Sequence, residues 1–382
     1  MQKAFTDRRM LKFELSNRPG GLVEAHERYS AEASPSLLIL EIGSDVDALL
    51  PQLETLAEVC VAGTNLILVG SYNDVALYRS LIRSGIADYL VLPIEPVRLV
   101  EAVLDLYNEP GKQGSGQIIA FTGAKGGCGS STLACNAAWR IAAETDADVV
   151  LLDLDLPFGS ADLALNIETS HGVHSVLSDP ERIDDSFLHR FAAKYGERLH
   201  LLAAPSSLEF DSAVPGPALE ATLDALRRQA KFIVLDLPRV WSEWTRHLVH
   251  TADQVVLTAM PDLVSVRNAR NLVDFLATRR SLDQPPVLVV NRVGAAKRGE
   301  VVLKDFSTTV GLAPAVVIAE DGPTFGQAAA VGKMLDEVNR RSKAAEAIRQ
   351  LAVRLSGPPP AKARPANAGA AAALMKLLTG KK

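Results

Sequence analysis

The stretch that most constrains the fold is QIIAFTGAKGGCGSSTLACNAAWRIAA, residues 117–143. An apolar run of strand length enters a loop rich in glycine, and a helical pattern follows at once. Gly126, Gly127 and Gly129 let the backbone curl so that several N–H groups point at one anion. The start of the following helix adds partial positive charge at the same place. A strand, a glycine loop and a helix in that order form the context of a phosphate-binding loop. The strict pattern G-x-x-x-x-G-K-[ST] fails twice, with Ala124 for the first glycine and Ser130 for the lysine. A second lysine, Lys125, opens the run. Ser131 takes the position whose hydroxyl reaches Mg²⁺ in such loops, and Thr132 that of a group near the α-phosphate. Cys128, Gly129 and Ser130 complete the loop. A glycine-rich turn with no ligand is the plainer alternative.

The apolar runs on either side extend this unit into a series. DVVLLDLD, RLHLLAAP, KFIVLDLP, DQVVLTAM, PVLVVNR and PAVVIAE read as buried strands between helical patterns. Such alternation predicts an α/β domain over 117–355 with a parallel sheet covered on both faces. Ligands then sit at the carboxyl ends of the strands. Asp153, Asp155 and Asp236 fall at strand ends, where carboxylates hold Mg²⁺ through water or orient an attacking water. Asn291 ends another strand and offers a donor and an acceptor suited to an adenine edge; an Asx turn is its ordinary role.

Ahead of this series, SLLILEI (36–42), NLILVG (65–70) and DYLVLPI (88–94) predict three parallel strands. DVALYRSLIRSG fits a helix stopped at Gly85. The segment RRMLKFELSNRPGGLVEAHERYSA predicts one strand and one helix. Residues 1–108 thus form a first domain, and 109–116 a polar, glycine-rich hinge. Residues 356–369 are rich in proline and alanine and read as a disordered linker. The end, 370–382, reads as a short amphipathic tail.

Length and charge bound the function. At 382 residues the chain calls for two domains. Its net charge of −5 argues against sequence-blind DNA binding as the main activity. Cys60, Cys128 and Cys135 have no metal-ligand spacing, and with no signal peptide the cytoplasm is the expected compartment. No uncharged apolar run approaches the roughly 18 residues of a membrane-spanning helix.

KGGCGSST resembles the deviant Walker A loop of the MinD/ParA ATPases, K-G-G-x-G-K-[ST]-[ST]. The resemblance implies ATP and Mg²⁺ as cofactors, and Lys125 reaching across a nucleotide-sandwich homodimer. It implies Asp153 and Asp155 as switch aspartates, with Asp155 near the attacking water, and Asp236 as the Walker B carboxylate. Asn291, Arg292 and the loop carrying Glu320 and Asp321 match its adenine-side elements. Metal contacts then fall to Ser131, Asp153 and Asp236.

LDLDLPFGSADLAL, LHLLAAPSSLE, VLDLPRVWSEWTRHLVHTADQVVLT, VSVRNARNLVDFL and VVNRVGAAKRGEVVLKDF look like the CpaE/TadZ family of Flp/Tad pilus-assembly proteins. That likeness covers most of 36–355, and the Trp241–Trp244 stretch is its more specific part. It implies an ATP-dependent dimer that helps place a pilus and secretion machine at the cell pole. Its partners would be assembly components at the inner membrane, with no specific nucleic acid. It also implies a degenerate receiver-like (flavodoxin-like) first domain. A working receiver ends a central strand on Asp and carries Lys before the proline of the last strand. Here Glu41 and Leu92 stand in those places, so phosphoryl transfer to this domain is not expected.

Losing the lysine at position 130 removes a charge-assisted hydrogen bond worth about 1.5–3 kcal/mol, or roughly ten- to a hundredfold in affinity. The backbone cradle and Mg²⁺ remain, so weakened ATP binding with slow or no hydrolysis is expected. A MinD-like membrane-cycling regulator using the C-terminal tail and a ParA-like DNA-partition ATPase are the alternatives.

Overall fold

The computed structural model describes residues 2–43, 48–107, 116–169, 172–178, 192–205, 207–208, 214–296 and 299–357. It divides into two compact units, residues 1–113 with 274–285, and residues 114–273 with 286–382. The expected hinge falls almost wholly outside the described residues, as do the tail and nearly all of the proline-rich segment. Among the described residues no helix is long and apolar enough to cross a membrane.

In the first unit three strands pair in parallel in the order β1-β2-β3: β1 (Leu37–Glu41), β2 (Asn65–Gly70) and β3 (Asp88–Val91). Their apolar residues alternate between two cores, as the period of a strand requires. Leu68 packs with Leu53, Leu56 and Leu81 on one face; Ile67 and Val69 pack with Leu99, Val100 and Val103 on the other. The expected helix appears as Val75–Arg83, capped by Asp74, whose carboxylate accepts from the Ala76 and Leu77 amides at 2.6 and 3.2 Å. Glu41 stands exposed at the end of β1.

One expectation fails. The opening segment forms the helix Leu22–Tyr29, but no strand. A 3-10 turn covers Arg8–Met10, held by Asp7, and the chain then runs irregularly to Gly21. Leu11, Phe13 and Leu15 alternate as in a strand, yet only Phe13 reaches the core, against Tyr107, while Leu11 and Leu15 stay exposed. Alternation without a second apolar contact does not hold a strand in register. Residues 274–285, read from sequence as part of the later domain, group with this unit; there Asp283 accepts from Arg8 Nε at 2.6 Å and Arg280 Nε at 2.9 Å.

The second unit contains β4 (Gln117–Gly123), β5 (Val149–Asp153), β6 (Ala193–Tyr195), β7 (Leu199–Leu202), β8 (Phe232–Asp236), β9 (Gln254–Ala259), β10 (Val287–Val293) and β11 (Val316–Ala319). Their order is β11-β10-β9-β4-β8-β5-β7-β6. All pairs are parallel except β6 with β7. The short edge strand β6 was not expected; three residues with an intermediate or exposed pattern carry no periodic signal. Every residue of β5 and β8 is buried, which is why their sequences read as unbroken apolar runs.

One face of the sheet packs Ile119, Phe121, Val234 and Val256 against the helices Ser130–Thr145 and Lys343–Ser356. The other packs Leu257, Leu288 and Val290 against Val266, Ala269 and Phe306. β4 lies between β8 and β9, so the chain leaves it at the centre of the sheet's carboxyl edge, where the connections diverge to either side. That is where an open α/β sheet holds a ligand.

Candidate functional site

The loop after β4 begins as an extension of the sheet, with the Ala124 amide donating to Thr258 O at 2.8 Å. It then turns on Gly127 and Gly129, which have φ of 74° and 93°. These left-handed conformations suit glycine. A side chain at Gly126 or Gly127 would meet nothing within 4 Å, so the space beside the loop is open. At Gly129 a β-carbon would stand 2.6 Å from Asn291 Nδ2, and at Gly123 2.6 Å from Cys128 Sγ. The loop is therefore closed from beneath and open above.

Three side chains hold it. Asn291 Nδ2 donates to Cys128 O at 2.9 Å, and Asn268 Nδ2 donates to Ala124 O at 2.7 Å. The Cys128 thiol is buried under the loop, and burial pushes its pKa up, which marks it as a packing group rather than a nucleophile. Asn268 was not singled out from sequence; an asparagine inside a helix gives no local sign of a distant carbonyl partner.

Carboxylates and hydroxyls meet at this edge of the sheet. Asp153 and Asp236 are register partners on β5 and β8 and are almost fully buried. Asp236 is pushed up to about 8 by burial and then by the Asp153 charge, with the Ser131 hydroxyl pulling the other way. Among the described residues its Oδ1 has no hydrogen-bond partner. Asp153 is pushed up to about 6, again chiefly by burial. Its carboxylate accepts from the Asp155, Ser160 and Ala161 amides at 3.2, 2.9 and 3.0 Å. It thereby shapes the turn that carries Asp155, a half-buried carboxyl that burial also pushes up. Ser130 Oγ is buried without a partner at the helix start.

These groups fit a magnesium-bound nucleotide phosphate chain. A buried carboxylate oxygen and a buried hydroxyl without partners are unusual in a native fold. Here both stand beside an open glycine loop and the start of a 16-residue helix. Ser131 and Asp236 would hold the cation, with Asp153 behind them, and the amides of 126–132 would hold the phosphates.

Lys125 has a partner within its own chain. Within one chain its Nζ lies 2.8 Å from Asp262 Oδ2. Asp262, which also accepts from the Ser265 amide at 2.9 Å, is held below the usual carboxylate range by these two contacts despite an opposing effect of burial. On the adenine side, Asn291 is committed to the loop and to the Arg292 amide, so its side chain serves as a brace for the loop. Arg292 pairs with Glu320 at 3.0 Å on the rim, and Asp321 caps the helix Gly322–Val331.

The family model for cellulose biosynthesis protein BcsQ matches residues 116–355. The septum site-determining protein MinD of Bacillus subtilis is 25% identical over 189 residues, 47% of this chain and 65% of its own length, just under two thirds. The structure of MinD from Pyrococcus horikoshii complexed with Mg-ADP is 18% identical, covers 63% of this chain and 96% of its own, and superposes with a TM-score of 0.51. The structure of the pilus assembly protein CpaE from Caulobacter crescentus is 42% identical, covering 28% of this chain and 86% of its own, with a TM-score of 0.27. The second unit has the MinD/ParA-like P-loop fold, and the chain belongs to the BcsQ family.

Proposed function

We propose that the protein is an ATP-binding, magnesium-dependent switch that dimerises on the nucleotide and turns it over slowly or not at all. The observation that carries this reading is the open glycine loop with Ser130 in place of lysine, where the Ser130 hydroxyl and the Oδ1 of Asp236 are both buried and, among the described residues, without partners. Positive charge on the phosphates is most of what such sites supply to the transition state, so its loss affects hydrolysis more than binding. Magnesium, when bound, neutralises charge on the phosphates. In this reading Asp155 orients water, and Lys125 leaves Asp262 to serve a partner subunit.

The biological setting is the placing of a Flp/Tad-type pilus and secretion machine at the cell pole or inner-membrane face, with its assembly components as partners. That assignment rests on the motif resemblance around Trp241 and Trp244. The first unit serves as a receiver-like interaction module. Its order β1-β2-β3 is that of the last three strands of a flavodoxin-like sheet. Glu41 at the strand end favours an interaction role over a phosphoacceptor role.

The test is a titration of ATP and ADP with Mg²⁺, paired with the oligomeric state by light scattering. Dimers with ATP and monomers with ADP support the reading, and no binding of either nucleotide refutes it. Co-sedimentation with DNA and with liposomes, with and without ATP, separates the partition and membrane-cycling alternatives.

A further inference from the structure

The mouth of the site carries a basic side chain that the loop pattern does not include. Arg239 follows Asp236 by three residues, in the stretch DLPR that leaves β8. The first step of that stretch stays tied to the sheet, with the Leu237 amide donating to Phe121 O at 3.1 Å. β8 is the immediate neighbour of β4, so Arg239 emerges beside the loop. Its side chain is exposed, and among the described residues it has neither an ion pair nor a hydrogen bond. Asp155 and Asp236 stand at the same sheet edge, yet among the described residues neither is paired with it. Its charge acts weakly on the Cys128 thiol, against the larger upward push of burial.

The contrast with Lys125 is direct. That lysine, the loop's own cation, is engaged by Asp262 at 2.8 Å. The helix start, where an ordinary loop adds a second lysine, holds only the Ser130 hydroxyl. A phosphate chain seated on the amides of 126–132 leaves the loop toward β5 and β8, because the cation-holding groups Ser131 and Asp236 lie there. Arg239 stands on that side. An exposed guanidinium without a carboxylate partner suits a phosphate, which it grips in two-point fashion.

We propose that Arg239 supplies, from the same subunit, the positive charge on the terminal phosphate of a nucleoside triphosphate that Ser130 cannot supply. This rests on the nucleotide-binding reading above. It makes the altered loop a relocation of charge: the cation moves from the loop helix to the segment following β8.

The test uses the full chain with Mg²⁺ and measures the affinities of a non-hydrolysable ATP analogue and of ADP by displacement of a fluorescent nucleotide. Arg239→Ala should lose about tenfold or more for the triphosphate, the scale of one charge-assisted contact, with little change for ADP. Arg239→Lys should keep most of the triphosphate preference, and Ser130→Lys added to Arg239→Ala should restore it. Thermal melting of each variant checks that it folds, and the lysine variant carries the comparison if the alanine variant does not. An unchanged triphosphate preference in Arg239→Ala, equal losses for both nucleotides, or no rescue by Ser130→Lys overturns the arginine assignment alone. No nucleotide binding by the unaltered chain overturns the function reading and this inference with it.

Discussion

Replacing Asp236 by asparagine should stabilise the nucleotide-free protein in alkaline buffer, although it removes a functional residue. Asp236 sits almost fully buried at the end of β8, level with Asp153 on β5, and its Oδ1 has no partner. The unfolded chain releases this proton near 3.8, whereas the folded chain keeps it up to about 8. Folding therefore takes up a proton between those values, and stability falls as the pH rises through that window. At about 1.4 kcal/mol per unit the whole shift is worth roughly 5 kcal/mol. Asp153, itself pushed up to about 6, shares the repulsion. A gain of about 2–3 kcal/mol is then expected for Asp236→Asn at pH 8.5, or roughly 5–10 °C in melting temperature. The gain should vanish near pH 4, where both carboxyls are protonated in the fold and the native aspartate is neutral. The assay is thermal and urea unfolding of both proteins in chelator-treated buffer across pH 4 to 8.5. With Mg²⁺ and ATP the order should reverse, because only the native carboxylate holds the cation and only bound ligand stabilises the fold. A difference that does not change with pH would refute the reasoning, since it would mean that Asp236 is already ionised and compensated at neutral pH.

Lys125→Ala should abolish ATP-promoted dimers in light scattering while leaving a folded monomer, because the pair it loses with Asp262 is partly exposed and such pairs are worth about 1 kcal/mol or less. Ser130→Lys should tighten ATP binding by about tenfold, read by nucleotide titration, and should speed hydrolysis wherever Asp155 positions water; Asp155→Ala in the same background should remove that gain. Gly129→Ala should cost about 1–2 kcal/mol for the left-handed backbone and more for the approach to Asn291 Nδ2. It should lower both the melting temperature and nucleotide affinity, whereas Gly126→Ala, with open space around it, should leave stability nearly unchanged.

The α/β class with its parallel sheet was legible in local sequence. Long apolar runs such as VVLLD and FIVLD signal strands buried on both faces, and glycines between a strand and a helix signal a loop that must curl, because each is a local consequence of burial or backbone freedom. Periodicity also placed Asp153, Asp155 and Asp236 at one edge, since strand ends in a parallel sheet share it. What lay beyond the sequence depended on groups far apart in the chain. The alternation of Leu11, Phe13 and Leu15 met no second apolar face, so the expected opening strand did not form. Asn291 braces Cys128 O, a partner 163 residues away. Lys125 found Asp262 across 137 residues. The unpartnered oxygens of Ser130 and Asp236, and the absence of an acidic partner for Arg239 among the described residues, are likewise facts of packing: a hydrogen bond or ion pair depends on positions in space, which local sequence does not set.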